Sequence, residues 1–174
     1  MNRRVVVTGM GAITSLGEDL DTLWTALLEG KSGIAPIQAM DVEPYTTKIA
    51  ASAEKFDPLN YIEKKDARKM DRFVQFAVAA SDLALKDAGL DINKDTDPER
   101  VGVYVGSGVG GLKTWEEQHR ILLEKGPKRV SPFFIPMIIA NMATGQISIR
   151  TGAKGPNSTA VTACATGTHS IGES

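Results

Sequence analysis

Apolar positions along the chain follow two rhythms. Short runs of β-branched and small apolar residues at 3–8, 48–53, 101–105 and 158–163 read as strands. Between them, apolar residues recur at three- and four-residue steps, the spacing of a helix face. Leu20, Leu23, Trp24, Leu27 and Leu28 form one such stripe, with Glu18, Asp19 and Asp21 at its front, Gly30 at its end and Lys31 behind, as the helix dipole favours. The longest stripe is Phe73, Phe76, Ala77, Ala80, Leu83, Ala84 and Ala88, capped by Gly89. A further helix is predicted over 112–125, and the apolar stretch 131–149 reads as largely helical despite its prolines. The last residues, CATGTHSIGES, open a helix inside which the sequence stops.

Strands alternating with helices predict an α/β fold with a sheet covered on both faces. The pattern contains no repeat. Its only linker-like stretch is the acidic turn 91–97, so one unfinished domain is expected. A natural boundary would fall in an exposed linker rather than in the first turns of a helix.

Composition narrows the function. The chain has 174 residues and 20 Lys and Arg against 21 Asp and Glu. That balance leaves no electrostatic footprint for nucleic acid or an anionic membrane. One cysteine and two histidines argue against an internal disulfide and a cysteine-rich zinc site. No apolar run approaches the ~18–20 residues of a membrane span, and MNRRVVV offers no signal-peptide core. The expectation is a soluble protein of a reducing compartment, the cytoplasm.

Two loops carry candidate chemistry. Gly106, Gly108 and Gly111 match G-x-G-x-x-G between a strand and a helix, which points to dinucleotide binding. The acid this fingerprint needs ~20 residues later falls near Glu124, at the end of a predicted helix. Tight turns and close packing explain the same glycines more simply. Cys164 stands where the last strand meets the last helix. Helix N-terminal N–H groups stabilise a thiolate, and the flanking Ala163, Ala165, Thr166 and Gly167 leave room for a substrate. The N–H groups of such a turn can face an acyl oxyanion. Spacing alone leaves both readings of Cys164 open, inert small hydrophobe and nucleophile.

Lys64, Lys65, Arg68 and Lys69, at i, i+1, i+4 and i+5, would form one positive patch on a helix surface. A solvated face partly neutralised by Glu63, Asp66 and Asp71 is the plainer reading.

VVVTGMGAITSLG, RKMDRF, GSGVGGL, GPKRVSPFFIP and VTACATGTHSIG run in this order along the chain. In this the sequence resembles the elongating β-ketoacyl-(acyl-carrier-protein) synthases, most of all the synthase II group of bacterial fatty-acid synthesis. The resemblance implies a thiolase-like fold of αβαβα layers, of which this would be the N-terminal half. It implies an acyltransferase that moves an acyl chain from acyl carrier protein to Cys164, decarboxylates malonyl-carrier protein and extends the chain by two carbons. Cys164 then matches the nucleophile, and its N–H would be half of the oxyanion hole. Val109 matches a position lining the acyl pocket, and Phe134 one that reaches a partner subunit's pocket across a homodimer interface. The basic patch matches the segment that docks the acidic carrier protein, and Lys128 and Arg129 would extend it.

No cofactor or metal is implied. The second half of such enzymes supplies two histidines, a lysine and the remaining oxyanion contact. His119 and His169 match neither histidine and read as structural. At i+5 on a helix, His169 should project away from Cys164. As written, the 174 residues should condense nothing. The competing expectations are a non-catalytic module that binds carrier protein and a thiolase-like or polyketide synthase subunit.

Overall fold

In the computed structural model, which describes residues 4–174, the strongest sequence signals give the longest elements. Helix α1 (Leu20–Leu28) starts at Asp19, whose carboxylate accepts the Thr22 N–H at 2.7 Å. A cap of this kind satisfies one of the N–H groups that a helix start leaves without a partner. The helix ends before Gly30, whose φ of +65° suits glycine. Strands β1 (Ala35–Pro36) and β2 (Ile49–Ala50) pair antiparallel. Helix α2 (Lys64–Ala67) is one turn long, and α3 (Arg72–Asp87) is the longest element. After the short α4 (Ile92–Asp95) come β3 (Val103–Tyr104), α5 (Leu112–Lys125), α6 (Phe134–Ile138) and α7 (Met142–Thr151). Strand β4 (Asn157–Ser158) and helix α8 (Thr166–Glu173) close the chain.

The core lies between α3 and α7. Ile62, Ala67, Val74, Val78 and Ile147 are buried together there, with Val103 and Val105 beside them. Polar clamps tie α3 to its neighbours on both sides. Arg150 on α7 donates to both oxygens of Asp82 on α3 and, at 2.6 Å, to the Tyr61 carbonyl. Gln75 on α3 donates to the Ala67 and Met70 carbonyls and fixes the end of α2.

The buried face of α3 is not the expected stripe. Val74, Val78 and Ala79 are its buried residues, whereas the Phe73, Phe76, Ala77, Ala80, Leu83, Ala84, Ala88 stripe is only half-buried. That stripe meets the N-terminal segment instead. A Cβ on Gly9 would lie 2.4 Å from the Ala84 carbonyl oxygen, and one on Gly11 2.2 Å from that of Ala80. Only glycine lets the two backbones approach so closely.

The strands fall short of expectation. The one predicted over 3–8 begins outside the described residues. Within them it joins no ladder, and Val5 and Val7 are 91% and 79% exposed. The runs at 48–53 and 101–105 shrink to two paired residues each, and of 158–163 only Ser158 is paired, next to Asn157, in two separate two-stranded sheets. A ladder needs a neighbour along its whole length, and the described residues supply one only at these points. Three helical expectations also change. The stretch 131–149 divides into α6 and α7 at Ile139–Asn141, because Ile139 turns extended, with ψ 134°. The turn at 91–97 is anchored rather than linker-like: Ile92 is buried and Asn93 donates to the Thr151 carbonyl at 3.0 Å. The α1 stripe is largely uncovered, and the one buried residue of the helix, Ala26, lies outside it.

Candidate active site

β3 and β4 run parallel, Val103 opposite Asn157 and Tyr104 opposite Ser158. Beyond the ladder the two segments stay together, since Ser107 N–H donates to the Ala160 carbonyl at 3.2 Å. They therefore deliver two loops side by side, the glycine loop 106–111 and the turn that carries Cys164. The latter turn is tight. Ala163–Ala165 form a single 3₁₀ turn, closed by Ala165 N–H on the Thr162 carbonyl, and α8 follows at Thr166. Thr166 is buried, and its hydroxyl accepts the Thr162 N–H at 2.9 Å, pinning the strand end to the helix start.

Cys164 is exposed at the crest of this turn, directly before α8 as the sequence predicted, but the strand expected to lead into it ends at Ser158. Among the described residues its backbone N–H has no acceptor. Ala163, just before it, takes φ +49°, in the left-handed region that a Cβ disfavours. The result is a thiol and a free N–H presented together, as an acyl acceptor with an oxyanion donor requires.

The glycine loop is filled by protein. A Cβ on Gly106 would lie 2.1 Å from Thr166 Cγ2 and 2.5 Å from Ser170 Oγ, so the loop rests directly on α8. A Cβ on Gly108 would lie 3.8 Å from the Ala163 carbonyl oxygen. Gly110 N–H donates to Ser107 Oγ and Gly111 N–H to the Ile138 carbonyl, both at 3.0 Å. Gly106 and Gly111 serve close packing, and the Gly110 and Gly111 N–H groups are engaged within the protein. Val109 stands 70% exposed at the lip of an open cavity of about 330 Å³ that Gly111, Leu112, Trp115 and Ile138 also line.

Asp71 ties this loop to the rest of the fold, a role the sequence did not suggest. It is the N-cap of α3, accepting the Phe73 N–H at 3.3 Å, and it is only 6% exposed. Its other oxygen accepts the Thr114 N–H at 2.9 Å and the Thr114 hydroxyl at 2.6 Å, in the first turn of α5. An aspartate before a helical run signals a cap. A partner 43 positions away has no local signal.

The predicted basic patch is redistributed. α2 stops at Ala67, so Lys64 and Lys65 are helical, Arg68 is the C-cap and Lys69 lies in the following turn. The extended backbone Asp71 needs as a cap, φ −67° and ψ 161°, rules out one continuous helix. Lys69 pairs with Asp66 at 3.5 Å, and its ammonium lies 5.5 Å from the centre of the Phe133 ring. Lys128 and Arg129, both exposed in the 3₁₀ turn Pro127–Arg129, are five and four residues before Phe133.

Phe134, the first residue of α6, is half-buried within its own chain, while Phe133 and Ile135 beside it are exposed. His119 stacks on Trp115 along α5, ring centres 5.2 Å apart. His169 Nδ1 lies 3.3 Å from Thr162 Oγ1, and no hydrogen bond joins this histidine to Cys164 among the described residues. Neither histidine is placed to take a proton from the thiol.

Comparison with known proteins identifies the arrangement. The family described as "Beta-ketoacyl synthase, N-terminal domain" matches residues 2–174. The chain is 55% identical over 172 residues to the 3-oxoacyl-[acyl-carrier-protein] synthase 2 of Staphylococcus aureus (strain COL), covering 99% of this chain and 41% of that protein. It spans about two-fifths of the length of such curated relatives. Among solved structures, the ishigamide ketosynthase/chain length factor superimposes with a TM-score of 0.88 at 32% identity, over 99% of this chain and 43% of that one. A type II polyketide synthase acyl-carrier protein in complex with its ketosynthase (AntDE:AntF) gives a TM-score of 0.77 at 27% identity, over 99% and 45%. The thiolase-like α/β fold is the one shared with these ketosynthases.

Proposed function

This chain belongs to the β-ketoacyl synthase family through its N-terminal domain, and on that premise we propose that Cys164 is the acyl acceptor of a condensing enzyme of fatty-acid synthesis. The carrying observation is the exposed thiol beside an N–H without an acceptor, raised on a turn that begins at a left-handed alanine. The Cys164 thiolate attacks the thioester carbonyl of acyl-carrier protein. The carrier's thiolate leaves, and the acyl chain rests on sulfur. Malonyl-carrier protein then loses carbon dioxide, and the resulting carbanion attacks the Cys164 thioester carbonyl. The cysteine thiolate is expelled and the chain is two carbons longer. In both attacks the carbonyl oxygen becomes an oxyanion, which the Cys164 N–H is free to stabilise.

The reading needs partners. A second part of the enzyme supplies the histidine pair and lysine that decarboxylation requires, so residues 1–174 alone do not condense. Acyl carrier protein docks on Lys64, Lys65, Arg68 and Lys69 together with Lys128 and Arg129. Such charges chiefly raise the association rate and fix orientation, and salt weakens them. A relative solved with its carrier protein supports this partner class. Val109 lines the acyl pocket. Phe134 reaches the neighbouring pocket of a homodimer, whose two-fold pairing uses the open edge after β4, where Val161 is 55% exposed. A reactive thiol suits a reducing compartment, here the cytoplasm. No helix among the described residues is long and apolar enough to cross a membrane.

The test is to incubate the intact enzyme with acyl-carrier protein and map the acylated residue by peptide mass spectrometry. Acyl mass on the Cys164 peptide is expected. Acylation elsewhere, or condensation retained by Cys164→Ala, overturns the reading.

A further inference from the structure

Asp71 holds more than a helix cap requires. One oxygen is enough to cap α3, yet the other takes two donors from Thr114 on a different helix. No lysine or arginine pairs with this nearly buried carboxylate among the described residues. Arg72 next to it turns away, its guanidinium donating to the Ala53 and Phe56 carbonyls and lying 4.7 Å from the centre of the Phe56 ring. Asp71 is thus carried by N–H and O–H donors alone, and those donors fix the start of α5.

The start of α5 is also the end of the glycine loop. Gly111 is the N-cap of α5, and a Cβ there would lie 3.1 Å from Asp71 Cβ and 2.3 Å from the Met137 carbonyl oxygen. Val109 stands two residues before that cap, and a Cβ on Gly108 next to it would lie 3.8 Å from the carbonyl oxygen of Ala163, the residue before the nucleophile. Asp71, Thr114, Gly111, Val109 and Ala163 therefore form one physical series. A shift of the first turn of α5 displaces the Val109 wall relative to the Cys164 sulfur.

We infer that Asp71 is a positioning residue that sets acyl-chain selectivity, holding the Val109 wall at a fixed distance from Cys164. This rests on the reading of Cys164 as acyl acceptor. The intact enzyme, offered short- and long-chain acyl-pantetheine thioesters, reports the ratio of long- to short-chain kcat/KM for acyl transfer. Asp71→Asn and Thr114→Val are each expected to change that ratio by roughly fivefold or more, because pocket contacts with added methylenes discriminate by about that amount or above. Thr114→Ser, which keeps the hydroxyl, should retain the original ratio. If Asp71→Asn does not fold, the Thr114 pair decides alone. An equal fall at all chain lengths, or a Thr114→Ser that behaves as Thr114→Val, overturns the inference. Failure of the unsubstituted enzyme to acylate Cys164 overturns the acceptor reading as well, so the two failures are distinguishable.

Discussion

Ala163 is the one non-glycine residue among those described with a left-handed backbone, and it immediately precedes Cys164. A Cβ in that conformation costs about 1–2 kcal/mol, a strain that persists only where the surroundings impose it. Ser107 on the neighbouring segment and Thr166 on α8 do so here. Ala163→Gly should therefore unfold at no lower denaturant concentration than the parent. Ala163→Val, with a branched Cβ, should lose about 1–2 kcal/mol in the same measurement. A second residue gives a pH signature. The Asp19 carboxyl is held below its ordinary 3.8 by the Thr22 N–H and then by the Thr22 hydroxyl. A carboxyl depressed in the folded state stabilises above its unfolded pKa, and that stabilisation disappears as pH falls through the folded value. The protection of the Thr22 amide, its exchange relative to the intrinsic rate, should fall on acidification below the ordinary carboxylate range. Asp19→Asn, a cap without a titrating group, should flatten that dependence.

Between elements, spacing is set by missing side chains. Gly106→Ala would drive a methyl into Thr166 and Ser170, so either the loop or α8 must shift. Overpacking of this kind costs about 1–3 kcal/mol, and Cys164 moves with α8. Lower stability with slowed acylation is expected, and Thr166→Ser, which removes the clashing Cγ2, should recover part of both. A double-mutant thermal and acylation series checks this. The same contrast explains what the sequence made legible. α5 appeared at 112–125 because apolar spacing, a preceding glycine and a closing Gly126 are all local signals. The helix that opens just after Cys164 was legible for the same reason, although the strand before it ends at Ser158. The buried face of α3 was not, because both its alanine–phenylalanine stripe and its valine stripe are apolar. Which one is covered depends on where Gly9, Gly11 and Ile147 arrive. Strand lengths and the Asp71–Thr114 bond likewise depend on partners far along the chain.

For the molecule as a whole, apolar side chains remain uncovered on several elements. Val5 is 91% exposed, Ile171 81%, Ile149 76% and Leu28 71%. Apolar surface of this extent marks interfaces or aggregation. Residues 1–174 expressed alone should self-associate and bind a hydrophobic dye, whereas the intact enzyme should sediment as a discrete dimer. A soluble, cooperatively unfolding monomer of the short chain would contradict this. The parallel pairing of Val103 with Asn157 also has a consequence in time. Nothing local holds the nucleophile turn against the glycine loop, and the closing contact waits until α5, α6 and α7 have been made. Such distant parallel pairing is intrinsically slow to form. During synthesis, the basic surface and the glycine loop emerge before the cysteine does. On the function proposed above, a nascent chain would meet acyl carrier protein while it still has no sulfur to receive an acyl group, and reactivity would arrive last.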